Sequence, residues 1–203
     1  MARNFFDPES LVWKPLGYVG DIVMLSLLWG VCSIPLVTMG PATAALYDCT
    51  AHCVRRGEVG LFSRFWQTFR AELKTGILST LLWAAVLAAL YFLRALLMAQ
   101  IGYAGAGGMI GMATLAVLLI PLGMACWVFP LLSRFTFSFG ALNRTAVRIA
   151  LGSIVRTLVI ALLTLVAAEL CLRYTSPLIV LPGLTALLWS FLIEPVFARY
   201  EES

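Results

Sequence analysis

Between Gly76 and Leu97 the chain reads GILSTLLWAAVLAALYFLRALL, 22 residues of which only Arg94 is charged. A helix rises 1.5 Å per residue, so ~20 mainly apolar residues cross the ~30 Å hydrocarbon layer of a bilayer. Arg94 lies near one end, where its long stem lets the guanidinium reach the headgroups. Inside lipid, backbone N–H and C=O groups must be paired within the protein, which a helix does by itself. This stretch is therefore expected to be a spanning helix, and the rest of the chain is read outward from it.

Toward the carboxyl end, Gly102 to Gly108 makes an uncharged turn and a second apolar run follows over 109–132, with Pro121 and Pro130 as expected kinks. Polar sequence after Arg134 leads to a short amphipathic helix over 141–153. Two further apolar runs cover 154–172 and 177–196. Toward the amino end, 62–75 is amphipathic. Phe62, Phe65, Trp66, Phe69 and Leu73 recur at helical spacing, with Arg64, Gln67 and Lys74 on the other side. The segment 41–56 starts with Pro41, a good first helical residue, and is closed by Gly57. Asp48, His52, Arg55 and Arg56 make it too polar to span, so it is expected at the interface. The first apolar run occupies 18–37, with Asp21 near its start and Pro35 disturbing its end.

The expected fold is all-α: one membrane domain over 1–203, with about five spans and interfacial helices at 41–56, 62–75 and 141–153. Composition agrees. Of the 203 residues 62% are hydrophobic and 12% charged, against about 45–50% and about 25% in ordinary soluble domains. A soluble monomer of this size has too much surface to hide that excess. Asp7, Glu9 and Asp21 interrupt any signal-peptide pattern, so the first run is expected to stay in the mature protein.

Charge placement suggests a topology. Arg55, Arg56, Arg64, Arg70 and Lys74 lie between the first two spans, and Arg134, Arg144 and Arg148 between the third and fourth, with Arg156 just beyond. The opposite connections hold little beyond Arg94 and Arg173. Positive-inside bias then places the basic segments and the carboxyl terminus in the cytoplasm and the amino terminus outside; Arg3 and Lys14 pull mildly the other way. No nucleic-acid footprint is formed, and the lipid bilayer is the first expected partner.

Chemistry is sparse. Cys32, Cys49, Cys53, Cys126 and Cys171 are odd in number and lack disulfide spacing. Asp48, Cys49, His52 and Cys53 form the one metal-like cluster, but no second ligand pair exists and His52 is the sole histidine, so neither a metal nor a cofactor is expected. Phosphate loops, nucleophile elbows and H-E-x-x-H are all absent, so no catalytic residue is assigned. Asp21, Glu169, Arg173 and Glu194 are the intramembrane polar candidates. Glu169 and Arg173 share a helix face as an outer-end ion pair, and Glu194 is expected at the interface. Small residues repeat at four-residue spacing at Gly107 and Gly111, at Ala84 and Ala88, and at Ala85 and Ala89. These suit close packing within the bundle.

The stretch Leu27-Leu28-Trp29, then Ser33 through Tyr47 (SIPLVTMGPATAALY), resembles the signature of the YesL-like family of bacterial membrane proteins, a domain of unknown function. Arg56-Gly57-Glu58, Phe62 to Lys74, Phe129 to Phe135 and Asn143 to Ile149 continue the likeness over nearly the whole chain. One departure is visible: members often carry asparagine before Leu-Leu-Trp, where this chain has Leu25-Ser26, which puts that residue's polar contact in question. The resemblance implies about five membrane helices and a link to carbohydrate uptake, with permease subunits of an ABC-type oligosaccharide importer as the implied partner. It supplies no catalytic residues. The expected function is that of a non-catalytic integral membrane accessory protein, touching its partner through Thr38, Gly40, Pro41, Thr43 and Leu46 together with Phe62, Phe65, Trp66 and Phe69. The alternative is an autonomous small-solute transporter or channel, suggested by Pro35, Gly40, Pro41, Pro121 and Pro182 as helix breaks. Neither ligand nor oligomeric state follows from the residues.

Overall fold

The computed structural model describes residues 13–102, 106–135, 137–174 and 176–201. Among them the chain is helical and contains no strand. In order come α1 (Trp13–Cys32), a 3₁₀ turn (Leu36–Thr38), α2 (Met39–Cys49) running into a wide π turn (Thr50–Val54), α3 (Leu61–Ala71), α4 (Leu73–Ile101), α5 (Ala106–Arg134), α6 (Phe139–Gly152), α7 (Ile154–Arg173), a second 3₁₀ turn (Ser176–Ile179) and α8 (Leu181–Glu201).

Among the described residues three helices are long and apolar enough to cross a membrane: Leu73–Ile101, Gly108–Arg134 and Ile154–Arg173. The first and fifth expected spans fall on shorter apolar helices, Gly17–Cys32 and Leu181–Phe197. The first expected span also stops earlier than 37. The residue before a proline is pushed out of the α region, and Ser33-Ile34-Pro35 turns the chain. Thr38 locks that turn by donating its hydroxyl to the Cys32 and Pro35 carbonyls at 2.6 and 2.8 Å. The second span begins at Leu73, with only Glu72 between it and α3.

The largest departure from expectation concerns 41–56. Its polarity suggested an interfacial helix, yet α2 is the buried centre of the bundle. Gly40, Pro41, Ala42 and every residue from Ala44 to Ala51 are buried, and α2 packs on α1, α3, α4, α5 and α8. Small residues make this possible. Gly40 sits so close to α4 that a Cβ there would overlap the Thr80 hydroxyl and lie 2.7 Å from Phe129 Cε1 and 2.9 Å from the Gly76 carbonyl. Gly76 reciprocates, facing the Pro41 ring at 2.9 Å from its own would-be Cβ. Because the obstacles include backbone, Gly40→Ala should cost about 1–3 kcal/mol as overpacking. Thermal unfolding in detergent checks this; a variant as stable as the parent contradicts the packing.

Two apolar cores flank α2. One gathers Tyr47, Trp127, Leu131, Leu142, Ile160, Ile193 and Phe197. The other joins Leu25, Leu46, Phe65, Phe69 and Ala186. Hydrogen bonds tie neighbouring helices: Trp127 Nε1 donates to Thr157 Oγ1 at 2.9 Å between α5 and α7, and Trp83 Nε1 to Asn143 Oδ1 at 2.9 Å between α4 and α6. Ser26 does make the interhelical contact that the missing asparagine left in question, since its hydroxyl accepts the Gly183 N–H at 2.9 Å.

Candidate functional site

Two features stand out where α2, α3, α5 and α8 meet: a linked set of ion pairs and, nearby, an apolar cleft. The ion pairs begin at Asp48, whose side chain is only 7% exposed. Burying a carboxylate is costly unless charge and hydrogen bonds compensate. Here Arg64 donates Nε to Oδ2 at 2.7 Å and an NH₂ to Oδ1 at 3.2 Å, a two-pronged grip, while the Thr68 hydroxyl donates to Oδ2 at 2.9 Å. His52 Nδ1 lies 3.1 Å from Oδ1 and 3.0 Å from the Asp48 carbonyl oxygen. Arg64 also reaches Glu58 at 2.7 Å, and its hydrogen bond to Asp48 raises its pKa further, so it stays charged.

The spacing explains the geometry. Asp48 and His52 are one helical turn apart, and Arg64 and Thr68 are one turn apart on α3, so two facing stripes meet. Gly57 and Gly60, with φ of 72° and 97°, make the reversal between the helices, a conformation that side-chain-bearing residues disfavour.

The π turn then delivers a second group. Its widened register ends with the Arg55 N–H donating to the Thr50 and His52 carbonyls. The Arg55 guanidinium donates to the Ser190 carbonyl at 3.0 Å and lies 4.7 Å from the centre of the Phe191 ring. Glu194, 16% exposed, takes Arg134 at 2.5 Å and Arg56 at 3.8 Å. It was expected at the interface and is instead largely covered, as the brace between α5 and α8.

The Cys49 thiol donates to the Leu61 carbonyl at 3.6 Å, and burial pushes both the Cys49 and Cys53 thiols up from their ordinary range. Among the described residues no three His, Cys, Asp or Glu side chains are placed to hold a metal ion together.

The cleft lies between α1, α2, α7 and α8, with a volume of about 300 Å³. Trp29, Leu46, Ala168, Leu172, Leu178 and Trp189 are among its walls. Its polar members are largely spent: Thr43 Oγ1 accepts Trp29 Nε1 at 3.0 Å and donates to the Met39 carbonyl at 2.7 Å. Such a surface can hold an apolar chain but has little to orient a polar substrate.

The proposed contact residues divide by burial. Gly40, Pro41, Leu46, Phe65 and Phe69 are buried inside the bundle, Leu46 also forming a wall of the cleft. The physical reason is the same for all: α2 is central, and α3 turns its Phe65–Phe69 edge onto it. Thr38 and Thr43 are half-buried, while Phe62 is 60% and Trp66 38% exposed. Arg70 lies 5.0 Å over the Trp66 ring. Of the polar candidates, Asp21 is half-buried on α1, and Glu169 pairs with Arg173 at 3.8 Å in the open. Sequence reading missed the Asp48–Arg64–Thr68 assembly, although facing stripes at four-residue spacing on 48/52 and 64/68 were the available signal.

Residues 22–93 match the family model described as "Protein of unknown function, DUF624", which is the YesL-like family of bacterial membrane proteins. The matched region runs from α1 into α4 and so contains both the buried α2 and the whole Asp48 assembly. No curated protein and no solved structure matches the chain.

Proposed function

Starting from the DUF624 match, we propose that this chain is a non-catalytic integral membrane accessory protein serving ABC-type oligosaccharide uptake, with permease subunits of the importer as its partner. In this reading five helices cross the cytoplasmic membrane, α1 and α8 joining the three long ones. The basic segments and carboxyl terminus then face the cytoplasm and the amino terminus lies outside. The observation that carries the reading is the two-sided build of α3. Its Phe65–Phe69 edge is sunk in the core and braced by Asp48, while Phe62, Trp66 and Arg70 are held outward on a rigid support. Aromatic and arginine side chains fixed on an exposed helix face suit a protein contact, where such residues dominate binding energy.

Capture of the tagged protein from mildly solubilised native membranes tests this. The permease subunits should co-purify in stoichiometric amount. Trp66→Ala should weaken that association roughly thirtyfold, taking ~2 kcal/mol for an aromatic anchor. Recovery of the protein alone, with solute flux in liposomes, would replace the accessory reading with the autonomous transporter.

A further inference from the structure

The amphipathic helix α6 lies against α4 at a level fixed by the Trp83–Asn143 hydrogen bond. Its inward edge, Leu142, Ala146 and Ile149, is buried. Beside that edge the two helices enclose a trough of about 430 Å³ whose floor and walls are Leu82, Trp83, Val86 and Val147. Arg144 and Arg148 line the same trough from the rim. They are one turn apart on α6, both exposed, and neither makes an ion pair or side-chain hydrogen bond among the described residues.

Elsewhere Arg56, Arg64 and Arg134 answer carboxylates and Arg55 and Arg70 lie over aromatic rings. The trough combines an apolar channel with two unneutralised guanidiniums at one rim. Trp83 marks the depth, since a tryptophan with its N–H hydrogen-bonded and its ring on aliphatic neighbours suits the boundary between headgroups and acyl chains. We propose that the α4–α6 trough is a binding site for one anionic phospholipid. An acyl chain lies along Leu82, Val86 and Val147, and the headgroup phosphate is gripped by Arg144 and Arg148. Guanidinium forks match phosphate oxygens in pairs, and basic pockets at the cytoplasmic ends of membrane helices favour acidic headgroups. This assignment does not depend on the accessory reading, because it needs only a bilayer around the helices.

The test uses the full chain in nanodiscs of phosphatidylcholine containing a minor fraction of spin-labelled phosphatidylglycerol or, in parallel, spin-labelled phosphatidylcholine. The immobilised fraction of each gives their relative association. Phosphatidylglycerol should be preferred, and Arg144→Gln with Arg148→Gln should reduce the preference by about thirtyfold, roughly fivefold for each guanidinium near the anionic headgroup. Both positions are exposed, so the double variant should fold as the parent does. Lys74→Gln with Arg173→Gln removes the same two charges away from the trough and should leave the preference unchanged. Val147→Trp should fill the trough and displace the lipid with both arginines in place. Equal loss in the two double variants would overturn the proposal in favour of diffuse attraction. Displacement of the lipid by inorganic phosphate at millimolar concentration would overturn it in favour of a free-anion site.

Discussion

Asp48→Ala is expected to be the most damaging single change, lowering stability by about 3–5 kcal/mol, the usual cost of removing one partner of a buried ion pair. The carboxylate takes both prongs of Arg64 and the Thr68 hydroxyl within 3.2 Å. Without it, the Arg64 Nε and the Thr68 hydroxyl face a covered apolar space. Arg64 retains Glu58 and is one-third exposed, which places the loss toward the lower end of that range. At 2–4 °C per kcal/mol for a chain of this length, the Tm in detergent should fall by roughly 6–12 °C. Replacing both partners by leucine should recover much of the loss, because it removes the uncompensated charge as well as the attraction. A double variant no better than Asp48→Ala would mean that the contact is held by something other than this pair.

Glu194→Ala is the second large expectation. Glu194 joins the last turn of α5 to α8 through Arg134 and reaches Arg56 on the chain leaving α2. A charge-assisted hydrogen bond in a covered site contributes about 1.5–3 kcal/mol, so the substitution should lower the Tm measurably. Arg56→Ala provides the internal comparison. Its side chain is 51% exposed and its contact is long, so the loss there should stay below ~1 kcal/mol. Should Arg56→Ala prove the more damaging of the two, the brace would run through Arg56 and not Arg134.

How much of this could be read from the residues follows from the range of each interaction. The helix class and the three long apolar helices follow from local hydropathy, because a run such as 76–97 has the length and composition of a membrane-crossing helix. Helix ends set by proline and glycine were also local, and Gly57 closes the helix where expected. The position of α2 was not legible. A helix with Asp48, His52, Arg55 and Arg56 looks like a surface element when judged alone. Its burial depends on Arg64 and Thr68, 16 and 20 residues beyond Asp48, which answer the one buried charge. Arg55 and Arg56 stay exposed and meet Ser190 and Glu194 on α8, 135 and 138 residues away. Ser26 shows the same thing in reverse: a residue that looked like a lost contact reaches Gly183. The burial of Phe65 and Phe69 was not legible for a related reason, since they cannot be told from Phe62 and Trp66 until the direction of α2 from α3 is known.

The central place of α2 also bears on how the chain is made. Helices enter a membrane in the order of synthesis, but α2 finds its neighbours on α4, α5 and α8, and α1 fastens to Gly183 near the start of the last helix. The amino-terminal third therefore cannot close when it emerges. Asp48 finds Arg64 and Thr68 as soon as α3 follows, but Arg55 and Ser26 meet Ser190 and Gly183 only when α8 is in place. A chain that ends before α8 lacks the partners of Ser26, Arg55 and Arg56.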